Sequence, residues 1–277
     1  MNRPGAAVAL DRWNRALVTG ASSGIGHAMA RLLAANGCRL VVVARDEARL
    51  KALAEDLRRD PGVPDDVDVE ILVAYLSDRD QVTTVAARLG ADDNPIDLLV
   101  NNAGFGQSGD FIDLDPEREL AVVDVNVAAV QRLAHAAGAA MAARGGGSIL
   151  NVSSVVGFGP SPGAATYAAT KAFVTSLSEA IHMELAPHGV VVSCLCPGLT
   201  RTEFQQRAGH DADDIPDRLW QSAETVARAG LAGMATGRPI VVPGAHNRAL
   251  RAAMAAAPSS LVRRVANSAD RLRKRTQ

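Results

Sequence analysis

The chain of 277 residues has few aromatic side chains and no long apolar segment. Aromatic residues make up 3% of a sequence that is 48% apolar, so its core must be built mainly from Ala, Val and Leu. That composition suits helices packed on a parallel sheet better than an aromatic-rich β-sandwich. No uninterrupted apolar run reaches the roughly 18 residues that indicate a membrane-spanning helix, so no transmembrane span is expected.

Cysteine is also scarce. Cys38, Cys194 and Cys196 are an odd number, and the sequence shows no secretory h-region. A disulfide framework is therefore not expected, and the sequence favours a reduced, cytoplasmic protein. Cys194 and Cys196 stand two apart in an apolar run and would share one face of a strand. We interpret them as small buried apolar residues rather than as metal ligands or a redox pair.

Charge is nearly balanced, with a formal net charge of -1, which argues against binding of nucleic acid over the whole surface. From Arg248 to the end, however, eight basic residues face one acidic residue. Leu261, Val265 and Leu272 follow one stripe of this segment, which predicts a basic amphipathic helix. A solvated or subunit-packing tail is the favoured interpretation. Peripheral contact with an anionic membrane surface is the alternative.

Apolar strand patterns alternate with helical patterns along most of the chain. Such βα units predict an α/β fold, with a doubly wound parallel sheet of about seven strands and helices on both faces. No internal repeat or second domain is evident. We predict a flexible arm at 1–11, one domain at 12–247 and a basic helical tail at 248–277. The strand patterns lie at 16–19, 40–44, 67–74, 96–100, 148–152, 190–195 and 240–243.

A glycine-rich turn follows the first predicted strand and opens the first predicted helix. Glycines allow a backbone to approach a pyrophosphate, and a helix N-terminus offers unpaired N–H groups and a positive dipole end. The context of strand, loop and helix makes this turn a candidate phosphate site. Its residues are Gly20, Ser22, Ser23, Gly24, Ile25 and Gly26.

The second predicted strand ends at Arg45, which Asp46 follows. In a dinucleotide-binding sheet this strand end reaches the adenosine ribose, where an acidic residue binds a free 2′-OH and an Arg accepts a 2′-phosphate. Arg45 therefore favours NADP over NAD. The alternatives are that Asp46 faces the ribose, or that Arg45 only precedes a solvated helix.

Tyr167 and Lys171 stand one turn apart on a helix predicted over 165–186. A nearby ammonium favours phenolate over phenol, so the pair could bring a group with an unperturbed pKa of about 10 toward neutrality for proton transfer. Ser153 and Ser154 end the preceding strand within plausible reach of the phenol. Asn126 is a polar residue among valines in a long helix predicted over 122–143, and such a buried amide often only satisfies its neighbours.

With these motifs assembled, the chain resembles the short-chain dehydrogenase/reductase superfamily in its single-domain, Rossmann-like form. The resemblance spans roughly 15–244, and its motifs occur in the family's order. These motifs are Thr19-Gly-x-x-x-Gly-x-Gly26, Asn101-Asn-Ala-Gly104, Asn126, Ser154, Tyr167-x-x-x-Lys171 and Pro197-Gly-x-x-x-Thr202.

The resemblance implies a role for each matching residue. Tyr167 would protonate a carbonyl oxygen as hydride arrives from the nicotinamide, Ser154 would hold that oxygen, and Lys171 would bond the nicotinamide ribose and lower the Tyr167 pKa. Asn126 would hold a water linking Lys171 to solvent. No metal is implied. The cofactor-binding set comprises Gly20, Ser22, Ser23, Gly24, Ile25, Gly26, Arg45, Leu76, Asn102, Ala103, Gly104, Tyr167, Lys171, Pro197, Gly198, Leu199, Thr200 and Thr202.

One position departs from the family. Tyr75 stands where an Asp usually contacts the adenine amine, before Leu76-Ser77-Asp78.

The ending Pro243-Gly244-x-x-Asn247-Arg248 is similar to that of members acting on long-chain or ring ketones. The sequence thus predicts an NADP(H)-dependent ketone reductase for an apolar carbonyl or alcohol substrate, and the family implies a homodimer or homotetramer. A non-catalytic NADP-binding regulatory protein is the alternative. An epimerase or dehydratase of the larger related group is disfavoured by the chain's length and glycine spacing.

Overall fold

The structure is a computed structural model that describes residues 10–209 and 216–276. Its strands are β1 (Arg15–Thr19), β2 (Arg39–Ala44), β3 (Val69–Val73), β4 (Leu98–Asn101), β5 (Gly147–Val152), β6 (Val190–Leu195), β7 (Thr200–Arg201), β8 (Gln221–Ser222) and β9 (Ile240–Val241). Its α-helices are α1 (Gly24–Ala34), α2 (Glu47–Arg59), α3 (Arg79–Leu89), α4 (Pro116–Val123), α5 (Val130–Ala143), α6 (Ala165–Leu185), α7 (Phe204–Arg207), α8 (Ala223–Ala235), α9 (Ala245–Ala256) and α10 (Ser259–Thr276).

Seven of these strands form one parallel sheet in the order β3-β2-β1-β4-β5-β6-β9. The chain moves outward from β1 to β3 and then crosses back to β4 and continues to β9. The direction of strand order therefore reverses between β1 and β4, and a crevice at such a reversal is where ligands bind in this class of sheet. The predicted α/β fold with a doubly wound parallel sheet is confirmed.

The sheet is buried on both faces because the strands are almost continuously apolar. Along β1, Val18 packs into a core shared with α1, α2 and α8, whereas Leu17 packs into a second core shared with α3, α5 and α6. Side chains in the helix N-terminal loops fix where three helices begin. Asp46, Asp78 and Ser222 accept hydrogen bonds from backbone N–H groups in the first turns of α2, α3 and α8.

The helix predicted over 122–143 differs from the expectation. An α-helix ends at Val123, a π-helical turn runs through Asp124–Ala129, and α5 then continues to Ala143. A π turn accommodates one extra residue per turn, and such turns are frequent at functional sites. Asn126 lies inside it and is fully buried.

At the chain's ends, the predicted arm falls mainly on residues 1–9, which lie outside the described residues. Leu10 and Trp13 are buried in the core, and the Trp13 indole N–H donates to Ser148 Oγ at 3.0 Å. In the basic segment, α9 and α10 follow β9, and the side chains of Leu261 and Val265 are exposed. Within 10–209 and 216–276 we find no helix with the length and apolar character to cross a membrane.

Candidate active site

The glycine turn lies at the carboxyl end of β1, beside the point where strand order reverses. Gly20 has φ +67°, and its N–H donates to the carbonyl of Val43 at 2.8 Å, which ties the turn to β2. A side chain on Gly26 would place its Cβ 2.5 Å from the Gly20 carbonyl oxygen. Ser23 precedes α1 in extended conformation without a side-chain capping bond, so the first N–H groups of α1 remain available to an anion.

Thr19 and Asn102 hold this turn in place. The backbone N–H groups of Asn102 and Ala103 both donate to Thr19 Oγ1 at 3.0 Å. The side-chain N–H of Asn102 donates to the Thr19 carbonyl at 2.9 Å and to the Gly20 carbonyl at 3.3 Å. Asn102 therefore acts on the turn itself and shapes the surface that a phosphate would meet. Asn101 is buried and donates to Asn151 Oδ1 at 2.9 Å, which makes it a structural residue.

At the end of β2 the structure separates the two candidate ribose ligands. Asp46 accepts a hydrogen bond from the Arg49 N–H at 3.0 Å and lies 3.4 Å from Arg49 Nε, so its carboxylate is engaged at the start of α2. Arg45 is exposed, and no hydrogen bond or ion pair to its side chain occurs among the described residues. The group free to meet a 2′-substituent is thus the cation.

Tyr167 lies in the first turn of α6 and Lys171 one turn later. The Lys171 Nζ donates to the Val152 carbonyl at 2.9 Å and lies 5.6 Å from the centre of the Tyr167 ring. The Ser154 side chain interacts with the phenol of Tyr167 and lies 3.4 Å from the Pro197 carbonyl oxygen. Gly104 covers the amine, since a Cβ there would lie 3.2 Å from Lys171 Nζ. The structure therefore brings these three side chains to one place beside β4.

Burial shifts the proton affinities of both groups on α6. It raises the pKa of Tyr167 to about 12, and the interaction with Ser154 acts in the opposite direction. It lowers the pKa of Lys171 to about 8, because an ammonium is poorly solvated there. For Tyr167, the loss of water around the phenol outweighs the interaction with Ser154.

Ser153 is not part of this group. Its hydroxyl is buried, donates to the Lys171 carbonyl at 2.7 Å and lies 2.8 Å from Thr175 Oγ1, so it fastens β5 to α6. Cys194 in β6 and Cys196 just after its end lie on the same side, as expected, with their sulfurs 3.8 Å apart, and both are buried.

The segment after β6 continues across the mouth of the cleft. Thr200 and Arg201 pair with Gln221 and Ser222 in the two-stranded sheet of β7 and β8. Farther along, the Phe204 ring lies 5.2 Å from the Tyr167 ring, centre to centre. The sequence over 203–220 is polar and irregular, and its pattern suggests a flap over a substrate pocket. Within its described residues, α7 and a 3-10 turn at Asp217–Leu219 give that segment local structure.

Two residues that follow β3, at the position where the family contacts the adenine, differ in their exposure. Leu76 is buried in the core beside α3, whereas the Tyr75 side chain is 51% exposed. Tyr75 is bound through its backbone N–H, which donates to Gln81 Oε1 at 2.8 Å. The phenol therefore has freedom to turn toward or away from a ligand.

Sequence reasoning missed several residues that shape the site. Phe105 is bound by Asn126, and Phe204 packs on Tyr167. Asn247 is buried beside Gly198, where a Cβ on that glycine would clash with its amide. The motif Pro243-x-x-x-Asn247 contained this signal, but only the structure shows which strand end it supports.

Comparison with known proteins agrees with this geometry. Residues 14–213 match the family model described as short chain dehydrogenase. The chain belongs to the short-chain dehydrogenase/reductase family. It is an NAD(P)-dependent oxidoreductase that acts on CH–OH groups, with a nucleotide cofactor and a small-molecule substrate.

Individual relatives cover most of this dehydrogenase. Nodulation protein G from Rhizobium sp. (strain N33) is 33% identical over 83% of this chain and 92% of its own length. A short-chain dehydrogenase from Sphingobium yanoikuyae, solved in complex with NADPH, is 39% identical with a TM-score of 0.80 and covers 90% of this chain and 94% of its own. A bulky-bulky ketone specific alcohol dehydrogenase from Comamonas testosteroni is 35% identical with a TM-score of 0.74 over 88% and 95% of the two chains.

Proposed function

We propose that this dehydrogenase is an NADP(H)-dependent ketone reductase, reversible as a secondary-alcohol dehydrogenase, with an apolar substrate. The observation that carries the proposal is the meeting of Ser154, Tyr167 and Lys171 at the carboxyl end of β5, on the same edge of the sheet as the glycine turn. A relative solved with NADPH and another described as specific for bulky ketones support the cofactor and the substrate class.

The residues present fit a dinucleotide with a 2′-phosphate. The glycine turn leaves no room for side chains where a pyrophosphate would approach, and the N–H groups at the start of α1 are available to it. Arg45 offers a guanidinium that no described residue pairs at the end of β2, while Asp46 is held by Arg49. The bound nicotinamide would supply or accept the hydride. The remaining residues of the cofactor-binding set would line the same cleft.

The protein's own residues would move the proton. Tyr167, kept protonated by its raised pKa, donates its phenolic proton to the carbonyl oxygen during reduction. Ser154 donates a hydrogen bond to that oxygen and fixes its distance from Tyr167. Lys171, which is charged below its pKa of about 8, stabilises the phenolate that remains after transfer, with its Nζ 5.6 Å from the ring centre. Asn126 acts as a positioning residue, because its side chain is engaged with Phe105 and Thr170.

An apolar substrate fits the lining near the phenol. The Phe204 ring packs at a tilt against the Tyr167 ring, with 5.2 Å between ring centres, so the phenol has an apolar neighbour. We assign the basic segment on α9 and α10 to subunit packing within a homodimer or homotetramer. We place the domain at 12–247 and the tail at 248–277. A non-catalytic NADP-binding role has no observation in its favour.

The test is the substitution Tyr167→Phe, which removes the acidic hydroxyl and keeps the ring. NADPH consumption is followed with a panel of ketones that carry bulky groups on both sides of the carbonyl. We expect turnover to fall by at least about a hundredfold, the usual contribution of a positioned general acid. NADPH fluorescence titration serves as the control and should show binding retained. Turnover close to that of the wild type would remove Tyr167 from the reaction.

A further inference from the structure

Residues Thr200–Arg207 form a strap across the mouth of the cleft. Its base is fixed by the pairing of β7 with β8 and by a hydrogen bond from Gln205 Nε2 to the Thr200 carbonyl at 2.9 Å. Its middle touches the glycine turn, because Thr202 Cγ2 lies 3.1 Å from where a Cβ on Gly24 would be. The strap thus runs from the end of β6 over the start of α1.

Two adjacent residues of the strap reach opposite sides of the cleft. Glu203 accepts hydrogen bonds from Arg49 Nη1 at 2.9 Å to each carboxylate oxygen, and Arg49 lies in the first turn of α2, beside the adenosine end. Phe204, the next residue, packs on the ring of Tyr167 at 5.2 Å. An ion pair on one side and a ring contact on the other are therefore joined through a single peptide unit.

We propose that Arg49 and Glu203 are positioning residues whose ion pair latches the strap over the dinucleotide and so holds Phe204 against Tyr167. This inference rests on the proposed function. Arg49 is also close to Asp46, so one guanidinium bridges a carboxylate of α2 and a carboxylate of the strap. Glu203 in turn pairs with Arg207 one turn later on α7, which keeps its carboxylate directed along the strap.

The exposure of the pair suits a latch that opens on every turnover. Both side chains are 44% exposed, so water competes for the charges and the pair is weak compared with a buried one. A weak closure lets the cofactor leave while still lengthening its residence. Breaking it should accelerate cofactor release by about three- to fivefold, the effect expected of one exposed ion pair.

A different use of Arg49 makes a different prediction. If Arg49 bound the 2′-phosphate together with Arg45, its loss would weaken NADPH binding alone. Loss of Glu203 would then leave binding unchanged or improve it, because a competing carboxylate would be removed. A latch acts on the whole dinucleotide, so its loss affects NADPH and NADH alike.

The experiment compares Arg49→Met, Glu203→Gln and the double variant, with Lys51→Met as the control. Lys51 lies on the same helix and pairs with Glu47 at 2.7 Å within that helix, so it has no connection with the strap. Stopped-flow fluorescence measures NADPH and NADH release, and steady-state assays separate kcat from KM for a bulky ketone. Arg49→Lys tests for partial rescue by a cation that lacks the bidentate fork.

We expect both single variants to release NADPH and NADH about three- to fivefold faster, with a raised ketone KM. The effect of the double variant on release should be smaller than the product of the two single effects, because both single variants remove the pair between Arg49 and Glu203. The contacts of Arg49 with Asp46 and of Glu203 with Arg207 are each lost in only one single variant. Additive effects, an effect limited to NADPH, or an unchanged release rate in both single variants would overturn the proposal.

Hydrogen–deuterium exchange supplies a readout that needs no cofactor. The amides of Arg207 and Ala208 donate to the carbonyls of Glu203 and Phe204, so their exchange reports closure of the strap. Arg49→Met should exchange several-fold faster there, and Lys51→Met should match the wild type. If ketones are not reduced but this acceleration is seen, the latch stands and the proposed function fails. Unchanged exchange in Arg49→Met rejects the latch.

Discussion

Asn126 binds both backbone groups of Phe105, accepting from its N–H at 3.1 Å and donating to its carbonyl at 2.9 Å. The same amide donates to Thr170 Oγ1 at 3.1 Å, and Thr170 lies between Tyr167 and Lys171 on α6. One buried side chain therefore sets the path of the loop after β4 relative to the helix that bears the proposed proton donor.

Replacing Asn126 with Ala should reduce both stability and turnover. The change removes the side-chain partner of the backbone N–H and carbonyl of Phe105, which is partly buried. Each group left unsatisfied away from water costs about 1–3 kcal/mol. Urea denaturation measures the first effect and NADPH oxidation the second. Asn36→Ala is the control, since Asn36 is exposed in the turn after α1 and its side-chain amide donates to the Leu32 carbonyl of that helix. Equal stabilities for the two variants would contradict the role assigned to Asn126.

Lys171→Met should stabilise the folded chain at pH 7 while abolishing turnover. Burial lowers the pKa of Lys171 to about 8, so the unfolded chain binds more protons than the folded chain between about pH 8 and 10.5, and stability rises with pH across that window. Below pH 8 the buried amine of Lys171 is charged, so the full free-energy cost of burying that charge is present. Removing it should stabilise by up to about 3 kcal/mol, reduced by the hydrogen bond to Val152 and the ring interaction with Tyr167 that Met cannot make.

The measurement is urea denaturation of Lys171→Met and wild type at pH 7 and 9.5, below the range in which tyrosine ionisation adds its own effect. The advantage of the variant should shrink at the higher pH. Lys51→Met, an exposed lysine substitution, should run parallel to the wild type at both values. A variant that is less stable than wild type at pH 7 would show that the interactions of Lys171 outweigh its burial.

Gly26→Ala should abolish dinucleotide binding. Its new Cβ would lie 2.5 Å from the Gly20 carbonyl oxygen, a separation that forces the phosphate turn apart. NADPH titration checks binding and circular dichroism checks the fold. Gly90→Ala provides the matched change, because φ is -87° there and the nearest atom would be at an ordinary 3.7 Å. Normal NADPH affinity in Gly26→Ala would place the phosphates elsewhere.

Arg45→Ala should lower the preference for NADPH over NADH. A hydrogen-bonded charge pair of this kind contributes about 1.5–3 kcal/mol, which corresponds to roughly ten- to hundredfold in the ratio of dissociation constants. Affinity for NADH should change little. Arg58→Ala, at the exposed far end of α2, should keep the ratio. An unaltered ratio in Arg45→Ala would leave the 2′-phosphate without its proposed partner.

Much of this architecture could be predicted from local pattern. The helix predicted over 165–186 agrees with α6 to within one residue, and the strand predicted over 190–195 coincides with β6, because apolar spacing is a local signal. The strand ends that carry Ser154 and Asn102 were also predictable, because parallel strands deliver their carboxyl ends to one edge. Family motifs then indicated which polar residues meet there.

What could not be predicted depends on contacts distant in sequence. Nothing near Asn126 indicates a π turn, because the benefit comes from Phe105 and Thr170, which other elements bring to it. The pairing of Arg49 with Glu203 joins residues 154 positions apart. The raised pKa of Tyr167 follows from how completely its neighbours exclude water, which spacing to Lys171 along a helix does not reveal.

The π turn at Asp124–Ala129 also sets the phase of everything that follows it in the helix. An α-helix advances about 100° per residue, so one extra residue wound as regular α-helix would rotate α5 by roughly that angle. Leu133 and Met141 would then turn away from the sheet. The wider π turn absorbs the extra residue, so the sequence gains a position for Asn126 while α5 keeps the same side chains against the core.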